Sequence, residues 1–307
     1  MADPYDSGTA STLPFSVQVP GYRLRREAGG DAPGIWFDAE QVSLGRKVTL
    51  KVLRPQYEAH EGARREFLAE MDRLSQLDHS NLPHVLDTIR EGTLVLVVER
   101  LPARTADELL VPGKPAGEAT SLKLVRGVAR ALAHLVERGL AFKNVTPKLI
   151  TLREDGEPRL VTFRNVISLE ELGGLRGRLA QDAHYVAPEQ LGGDAPIGPP
   201  AHAYHVAALL FHLLAGRPPH DGTPQEVARL HFREPFPSLK RLQPFLPSGI
   251  YDLIGACTAR APADRPPLKR VVEALDALVD KKDPGLGASA EPKGPIEAPR
   301  PRRKRRR

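Results

Sequence analysis

The stretch from Ala141 to Leu152, AFKNVTPKLITL, constrains the fold more than any other part of the chain. It follows an amphipathic helix, predicted over residues 121–138, which Gly139 ends. A short hairpin comes next at residues 153–158, followed by an apolar strand at Arg159–Phe163. The stretch is therefore a loop that carries polar side chains between buried helical and β elements.

The residues before this loop have the pattern of a small β-rich unit. The strand-like segments are YRLRR, GIWFDAEQVS and KVTLKVL, with a glycine-bearing turn at residues 28–34 and a further apolar strand at 93–98. Between them, residues 61–77 have a helical apolar spacing that places four side chains on one face: Phe67, Met71, Leu74 and Leu77. We predict a mainly β lobe with one helix.

The residues after the loop predict a larger helical unit. Residues 204–215 are apolar on nearly all faces, which is typical of a buried central helix. Two more helices are expected near 248–259 and 268–281, whereas residues 167–194 read as an extended segment. The fold class predicted from the two halves is α+β, with a small β-rich lobe and a larger helical lobe.

Composition limits the classes of protein to which the chain can belong. The 307 residues include 41% hydrophobic residues, enough to bury a full core. The single cysteine, Cys257, excludes an internal disulfide and fits a reducing compartment. No apolar run has the length of a membrane span, and the N-terminus lacks a signal-peptide pattern, so we expect a cytoplasmic location.

The basic net charge belongs to one end of the chain. Residues 281–307 hold ten basic and three acidic residues, so their net charge is +7. The whole chain has a net charge of +6, so the other residues together are slightly acidic. Composition predicts a disordered basic tail there and a flexible leader at residues 1–20. Residues 300–307, RPRRKRRR, are expected to contact a polyanion: a nucleic acid, an anionic membrane surface or an acidic protein.

Several short motifs then agree in order and spacing. The loop has the frame H-R-D-L-x-x-x-N, and it is preceded by VTLKVL and followed by YVAPEQ, GRPP and ADRP. From about Gly21 to Val279 the chain resembles the bacterial-type serine/threonine protein kinases. The resemblance implies a two-lobed domain over residues 21–280, with an N-lobe at about 21–101 and a C-lobe at about 102–280.

The resemblance also implies roles for particular residues. Lys51 matches the phosphate-contacting lysine, and Glu70 matches the acid that pairs with it. The rest of the implied nucleotide-binding set is Gly29, Gly34 and Glu99. Glu189, in the A-P-E motif, and Arg265 match a pair that supports the large lobe and has no chemical role.

The positions that carry the chemistry depart from the family pattern. Asn144 replaces the catalytic aspartate, Leu149 the metal-binding asparagine, and Thr146 the loop lysine. In the D-F-G motif, Thr162 replaces the aspartate and Arg164 the glycine. Phosphoryl transfer needs a group that orients the hydroxyl and oxygen ligands for magnesium, so we predict no catalytic residue and no metal site.

The expected nucleotide pocket is altered as well. Asp31 places a carboxylate where the backbone would approach phosphate, which repels an anion. Trp36 replaces a valine above the adenine and is large enough to fill its space, while Thr49 and Thr151 change the surface and floor of the pocket. These four positions oppose nucleotide binding, so no cofactor is expected and binding of ATP is disfavoured.

The main hypothesis from the sequence is a non-enzymatic pseudokinase. It would act as a binding scaffold or allosteric regulator for a protein partner, such as an active kinase or its substrates. Leu74, Phe142 and Phe163 match an apolar column between the lobes and predict a permanently assembled fold. One alternative is an atypical ATP-binding serine/threonine kinase that keeps Lys51 and Glu70 and has residual activity. Another is a platform for the polyanion-binding tail.

Overall fold

The computed structural model describes residues 17–30, 33–175, 183–192 and 196–280. Within these ranges, the chain forms a small lobe built on a β-sheet and a larger lobe built from helices, which confirms the predicted α+β two-lobed fold. Asp31, most of the leader and the whole basic tail lie outside the described residues. Val19, from the predicted leader, is buried against the sheet of the small lobe.

The small lobe is a five-stranded antiparallel sheet in the order β1-β2-β3-β5-β4. Its strands are β1 (Tyr22–Gly30), β2 (Gly34–Gln41), β3 (Arg46–Leu53), β4 (Val85–Ile89) and β5 (Val95–Glu99). Alternation along β3 separates two faces: Val48, Leu50 and Val52 join an outer apolar cluster, while Lys51 and Leu53 face the other way. The single long helix of the lobe, α1 (Glu61–Ser75), belongs to this second face.

Local chemistry fixes the start and the orientation of α1. The His60 side chain caps the helix by accepting a hydrogen bond from the Ala63 N–H at 3.1 Å. Phe67, Met71 and Leu74 then bury one stripe, as their spacing predicts. Glu70 lies on this same stripe and is 5% exposed, so the core packing of α1 carries a carboxylate into the interior.

The large lobe is organised around two buried helices, α2 (Glu118–Glu137) and α5 (Pro200–Ala215). The other helices are α3 (Leu169–Gly173), α4 (Pro188–Leu191), α6 (Pro224–Arg233), α7 (Leu239–Leu242), α8 (Ser248–Cys257) and α9 (Leu268–Asp280). α5 has buried side chains on all of its faces, as its composition predicts. None of the helices in the described part of the chain is long and apolar enough to cross a membrane.

Two short antiparallel pairs hold the polar loop in place. β6 (Leu140–Phe142) pairs with β9 (Val166–Ser168), and β7 (Ile150–Leu152) pairs with β8 (Pro158–Leu160). The strand expected at 159–163 is thus shorter, because the Thr162 carbonyl accepts hydrogen bonds from Asn165 and Val166 and turns the chain. The loop between β6 and β7 is anchored at both ends.

The prediction of an extended segment at residues 167–194 is wrong for the described part of that range. β9 ends at Ser168, whose hydroxyl accepts from the Glu171 N–H while the Glu171 carboxylate accepts from the Ser168 N–H. This capping box starts α3, and Pro188 starts α4. The serine followed three residues later by glutamate was visible in the sequence and indicates a helix start.

Candidate active site

The site begins with an ion pair between the sheet and α1. The Lys51 ammonium donates to both carboxylate oxygens of Glu70, at 2.9 and 2.7 Å. The Lys51 side chain has no exposed surface and that of Glu70 is 7% exposed. The Phe67 and Phe163 rings lie 5.5 and 5.7 Å from the ammonium. The structure therefore brings together the two charged residues that the sequence assigns to the nucleotide pocket.

Arg164 extends this pair into the large lobe. Its backbone N–H donates to Glu70 Oε1 at 2.7 Å, and its side chain donates to Glu66 Oε1 at 3.1 Å. Its φ of 55° lies in the left-handed region, where glycine is the residue without a steric cost. The arginine thus adopts a left-handed backbone conformation and is held there by two carboxylates of α1.

Trp36 occupies the space beside Lys51. The two residues are cross-strand partners on β2 and β3. The indole ring lies 5.0 Å from the Phe163 ring, and a Cβ on Gly29 would lie 3.1 Å from Trp36 Cε3. The side chain therefore lies between the glycine-bearing turn and the segment after β8.

The remaining residues of the predicted pocket serve the local fold. Thr49 accepts a hydrogen bond from the Leu101 N–H at 3.1 Å, and Thr151 donates to the Arg159 carbonyl at 3.3 Å. Glu99 accepts from the His84 N–H at 2.8 Å and forms an ion pair with buried Arg159. Gly34 starts β2 and pairs with Leu53. Glu99 and Arg159 thereby link the small lobe to β8.

The loop positions carry no carboxylate. Asn144 is 4% exposed, and neither atom of its amide has a hydrogen-bond partner in the described part of the chain. Thr146 precedes a short 3₁₀ turn that contains Leu149, which packs against the main core. His202, buried in α5, places Nε2 3.2 Å from the Phe142 nitrogen and 3.0 Å from its carbonyl oxygen. The loop is therefore fixed by a neutral ring.

Magnesium, which the resemblance implies, does not fit these residues. Leu149 and Thr162 stand at the two ligand positions, and neither supplies the carboxylate or amide oxygen that the ion needs. Across the described residues, the His, Cys, Asp and Glu side chains form no group of three that could hold a metal ion.

A polar cavity of about 390 Å³ lies next to the ion pair, between α1 and the segment after β8. Its charged lining residues are Glu66, Glu70, Arg73, Lys143, Arg164 and Glu171. Arg73 pairs with Glu171 at 3.3 Å. Burial, and then the charge of Arg164, lower the pKa of Lys143. Lys143 is thus one of three basic residues that line this cavity, with Arg73 and Arg164.

A second buried pair supports the large lobe. Arg265 donates to both oxygens of Glu189 at 2.7 and 2.9 Å, and both side chains are almost fully buried. Next to it, Gln190 donates to the Lys143 carbonyl and lies 2.7 Å from His205 Nε2. These contacts connect α4, α5 and the polar loop, so the loop is held from behind by a network of polar side chains.

The geometry defines a class of protein: a two-lobed fold with a lysine–glutamate pair between sheet and helix and a polar loop at the junction of the lobes. The sequence profile described as "Protein kinase domain" matches residues 22–275. This is most of the chain, and the protein belongs to the protein kinase domain family.

Curated relatives agree with this assignment. The chain is 27% identical over 247 residues to the serine/threonine-protein kinase PrkC of Bacillus subtilis, covering 80% of this chain and 38% of that protein. It is 25% identical to the probable serine/threonine-protein kinase PknB of Lactococcus lactis, over 78% and 39% of the two chains. For PknL of Mycobacterium tuberculosis the identity is 27%, over 85% and 66%. The chain thus spans about two fifths of the length of PrkC and PknB.

These comparisons correct the prediction that the protein is not an enzyme. That prediction rested on Asn144, Leu149 and Thr162. The family profile and relatives that are named serine/threonine-protein kinases point instead to an enzyme, so the prediction is wrong. The alternative of an atypical kinase agrees with them better than a scaffold without activity.

Sequence reasoning missed part of the site. Glu66 and Arg73 were not singled out, although they lie four residues before and three residues after Glu70, on the same face of α1. Glu171 and Gln190 were also missed, because their partners lie far away in the sequence. The helical spacing from Glu66 to Arg73 is the signal that would have found the first two.

Proposed function

We propose that the protein is an atypical serine/threonine protein kinase, which binds ATP beside Lys51 and transfers its terminal phosphate slowly to a hydroxyl group. The observation that carries this proposal is the closed Lys51–Glu70 pair, at 2.7 Å and without solvent exposure of the lysine. Family membership and the names of the relatives support it. In such a reaction most of the catalysis comes from positioning and from neutralising phosphate charge.

The chemistry differs from that of the usual family member in the route of the proton. The hydroxyl oxygen attacks the terminal phosphorus, and the bond between that phosphorus and the β,γ-bridging oxygen breaks to release ADP. The hydroxyl proton passes to a phosphate oxygen, because the Asn144 amide does not act as a base. Loss of a positioned base typically costs a factor of about 10²–10⁴ in rate, which makes the proposed reaction slow.

Cations of the chain supply positive charge near the transferred group. Lys51 lies on the sheet side, and Lys143 lies in the polar cavity close to Glu70 and Arg164. Burial in the cavity, and then the charge of Arg164, lower the pKa of Lys143 and so make the loss of its proton easier. A bound phosphate group would favour the charged ammonium and raise that pKa again.

The test is a phosphotransfer assay with ATP labelled on the terminal phosphate. The full chain is incubated with a mixed serine/threonine protein substrate, with Mg²⁺, with Mn²⁺ or with EDTA. We expect weak labelling of serine and threonine that is lost in Lys51→Met and kept in Lys47→Met, an exposed residue of the same strand. Labelling of the wild type no higher than that of Lys51→Met in all three conditions would overturn the proposal.

A folding control accompanies this assay. Lys51→Met leaves the Glu70 carboxylate buried without the cation that pairs with it, which typically costs about 3–5 kcal/mol. The double variant Lys51→Met/Glu70→Leu removes both charges and restores an apolar interior. Absence of labelling in a double variant that melts like the wild type assigns the loss to the Lys51–Glu70 pair and not to unfolding.

A further inference from the structure

A lysine without a partner lies in the polar cavity next to the Lys51–Glu70 pair. Lys143, from the polar loop, lines this cavity of about 390 Å³. The three carboxylates of the lining each form an ion pair with another cation: Lys51–Glu70, Arg73–Glu171 and Arg164–Glu66. Within the described residues, the Lys143 ammonium forms no hydrogen bond and no ion pair. It is therefore a cation of the lining that has no carboxylate of the described chain in direct contact.

Arginine donors line the same cavity. Arg73 and Arg164 both belong to its lining. Arg73 contacts Glu171 through its terminal nitrogen Nη1, whereas its Nε is buried and has no hydrogen-bond partner in the described part of the chain. Guanidinium groups are planar donors that match the oxygens of a phosphate group. The cavity thus brings an unsatisfied guanidinium donor and an unpaired lysine together, and both favour an anion with phosphate-like oxygens.

The surroundings of Lys143 favour its uncharged form, which is the form that acts as a nucleophile. The residue is half-buried, and burial, followed by the charge of Arg164, lowers the pKa of its ammonium. Lysines that are desolvated or lie next to another cation are the ones that react as nucleophiles in proteins. Lys148, farther along the same loop, is exposed to solvent and provides a reference for an ordinary surface lysine.

We propose that Lys143 is a modification site for small acyl phosphates: the phosphate group binds beside Arg73 and Arg164, and the acyl group is transferred to the lysine. The uncharged Nζ attacks the carbonyl carbon, so that an N–C bond forms and the bond from that carbon to the bridging oxygen of the phosphate breaks. The nitrogen gives its proton to the departing phosphate. The products are an amide on Lys143 and inorganic phosphate, and no oxidant, reductant or nucleotide is required.

The charges of the lining select this class of reagent over other electrophiles. A lining with six charged side chains disfavours apolar reagents, and the Arg73 and Arg164 guanidinium groups favour a dianionic leaving group. A bound phosphate favours the charged ammonium, but holding the reagent beside the lysine gains more, because proximity raises effective concentrations by orders of magnitude. The amide product has no charge, so acylation removes the unpaired cation from the cavity. Acyl transfer to Lys143 requires no phosphotransfer activity of the protein.

The first test measures acetylation of the full chain by acetyl phosphate, with the rate at each lysine followed by peptide mass spectrometry. We expect Lys143 to react at least about tenfold faster than exposed Lys148, the factor that one charge-assisted hydrogen bond to the phosphate supplies. The rate at Lys143 should saturate with acetyl phosphate and fall when inorganic phosphate is added, whereas the rate at Lys148 should rise linearly and be insensitive to phosphate. Equal rates at the two lysines, or a rate at Lys143 that neither saturates nor responds to phosphate, would overturn the proposal.

Two arginine variants separate binding of the reagent from reactivity of the lysine. Arg73→Gln should slow acetylation of Lys143 about tenfold and leave Lys148 unchanged. Arg90→Gln is the matched control and should leave both rates unchanged, because Arg90 pairs with Asp72 of α1 at 2.8 Å but does not line the cavity. Thermal unfolding checks that both variants are folded; if Arg73→Gln is not, the competition by phosphate in the wild type decides.

A reagent without a phosphate group completes the test. With the N-hydroxysuccinimide ester of acetic acid, the preference for Lys143 over Lys148 should be lost, because this reagent offers the guanidinium groups no anion. A preference for Lys143 that is equally large with both reagents, and unchanged in Arg73→Gln, would show that burial alone activates the lysine and would overturn the proposed binding of the phosphate.

Discussion

Replacing Trp36 by valine should open the space beside Lys51 and strengthen the binding of ATP. The indole ring contacts Phe163 at a centroid distance of 5.0 Å and packs under Gly29. Moving it out loses an aromatic contact of about 0.5–1.5 kcal/mol and exposes apolar surface again, at about 1.5–3 kcal/mol for a full side chain. Since Trp36 is only partly buried, we expect moving the ring out to cost about 2.7 kcal/mol in total.

This free energy reduces the apparent affinity of the wild type for ATP. A cost of about 2.7 kcal/mol leaves roughly one molecule in a hundred open, so the apparent Kd is about a hundredfold weaker than that of the open pocket. For an open-pocket Kd of about 10 μM, 1 mM ATP stabilises the wild type by only about 0.4 kcal/mol and Trp36→Val by about 2.7 kcal/mol. The difference corresponds to about 5–9 °C in Tm.

The assay is a thermal-shift titration with ATP on wild type, Trp36→Val and Trp36→Phe. Trp36→Phe keeps a ring against Phe163 and should respond only a little more than the wild type. Without ATP, Trp36→Val should melt lower than the wild type, because it loses buried surface. Equal ATP-induced shifts in wild type and Trp36→Val would refute the view that the indole ring blocks the site.

Three further predictions concern stability. Arg265→Ala should destabilise the fold by about 3–5 kcal/mol in urea unfolding, because it leaves Glu189 buried without a partner, whereas Arg270→Ala breaks only an exposed pair with Glu273 and should change it by less than about 1 kcal/mol. Burial lowers the pKa of His202 from 6.5 to about 4, so the unfolded state binds more protons than the folded state below pH 6.5. The contribution of this residue to stability should be full above pH 6.5 and should fall by roughly 3 kcal/mol as the pH drops toward 4. In His202→Gln, stability should depend less steeply on pH in this range. Gly127→Ala should destabilise by about 1–2 kcal/mol despite a better helix propensity, because the new Cβ would lie 2.4 Å from Pro158 Cγ and 2.8 Å from Asn81 Nδ2; equal or higher stability would show that Pro158 moves away at little cost.

The fold could be predicted from patterns that are local or that recur along the chain. The apolar stripe of α1 and the apolar surface of α5 each indicate their own burial, and the A-P-E and arginine motifs place a long-range pair. By contrast, residues 167–175 look extended by composition. Their helix depends on the capping box of Ser168 and Glu171, a short signal within a mixed stretch.

Lys51, Glu70 and Arg164 could be singled out from the sequence, but their arrangement could not, and neither could the part played by Glu66 and Arg73. The sequence identifies Trp36 as unusual and places it above the adenine, whereas the structure places its ring between Gly29 and Phe163. A side-chain direction of this kind depends on the twist of β2 and on neighbours from another lobe, neither of which a single sequence shows. The polar cavity was unpredictable for the same reason, since its walls come from α1, the loop and α3.

The links between α1 and the large lobe have a consequence for how the domain opens. Arg73 pairs with Glu171, Arg164 pairs with Glu66, and the Arg164 N–H binds Glu70. α1 is therefore joined through three of its side chains to the segment 164–171. In native-state hydrogen exchange, the amides of residues 61–75 should open together with those of β6 and β9, later than the outer strand β1. The cooperative unit then crosses the boundary between the lobes instead of following it.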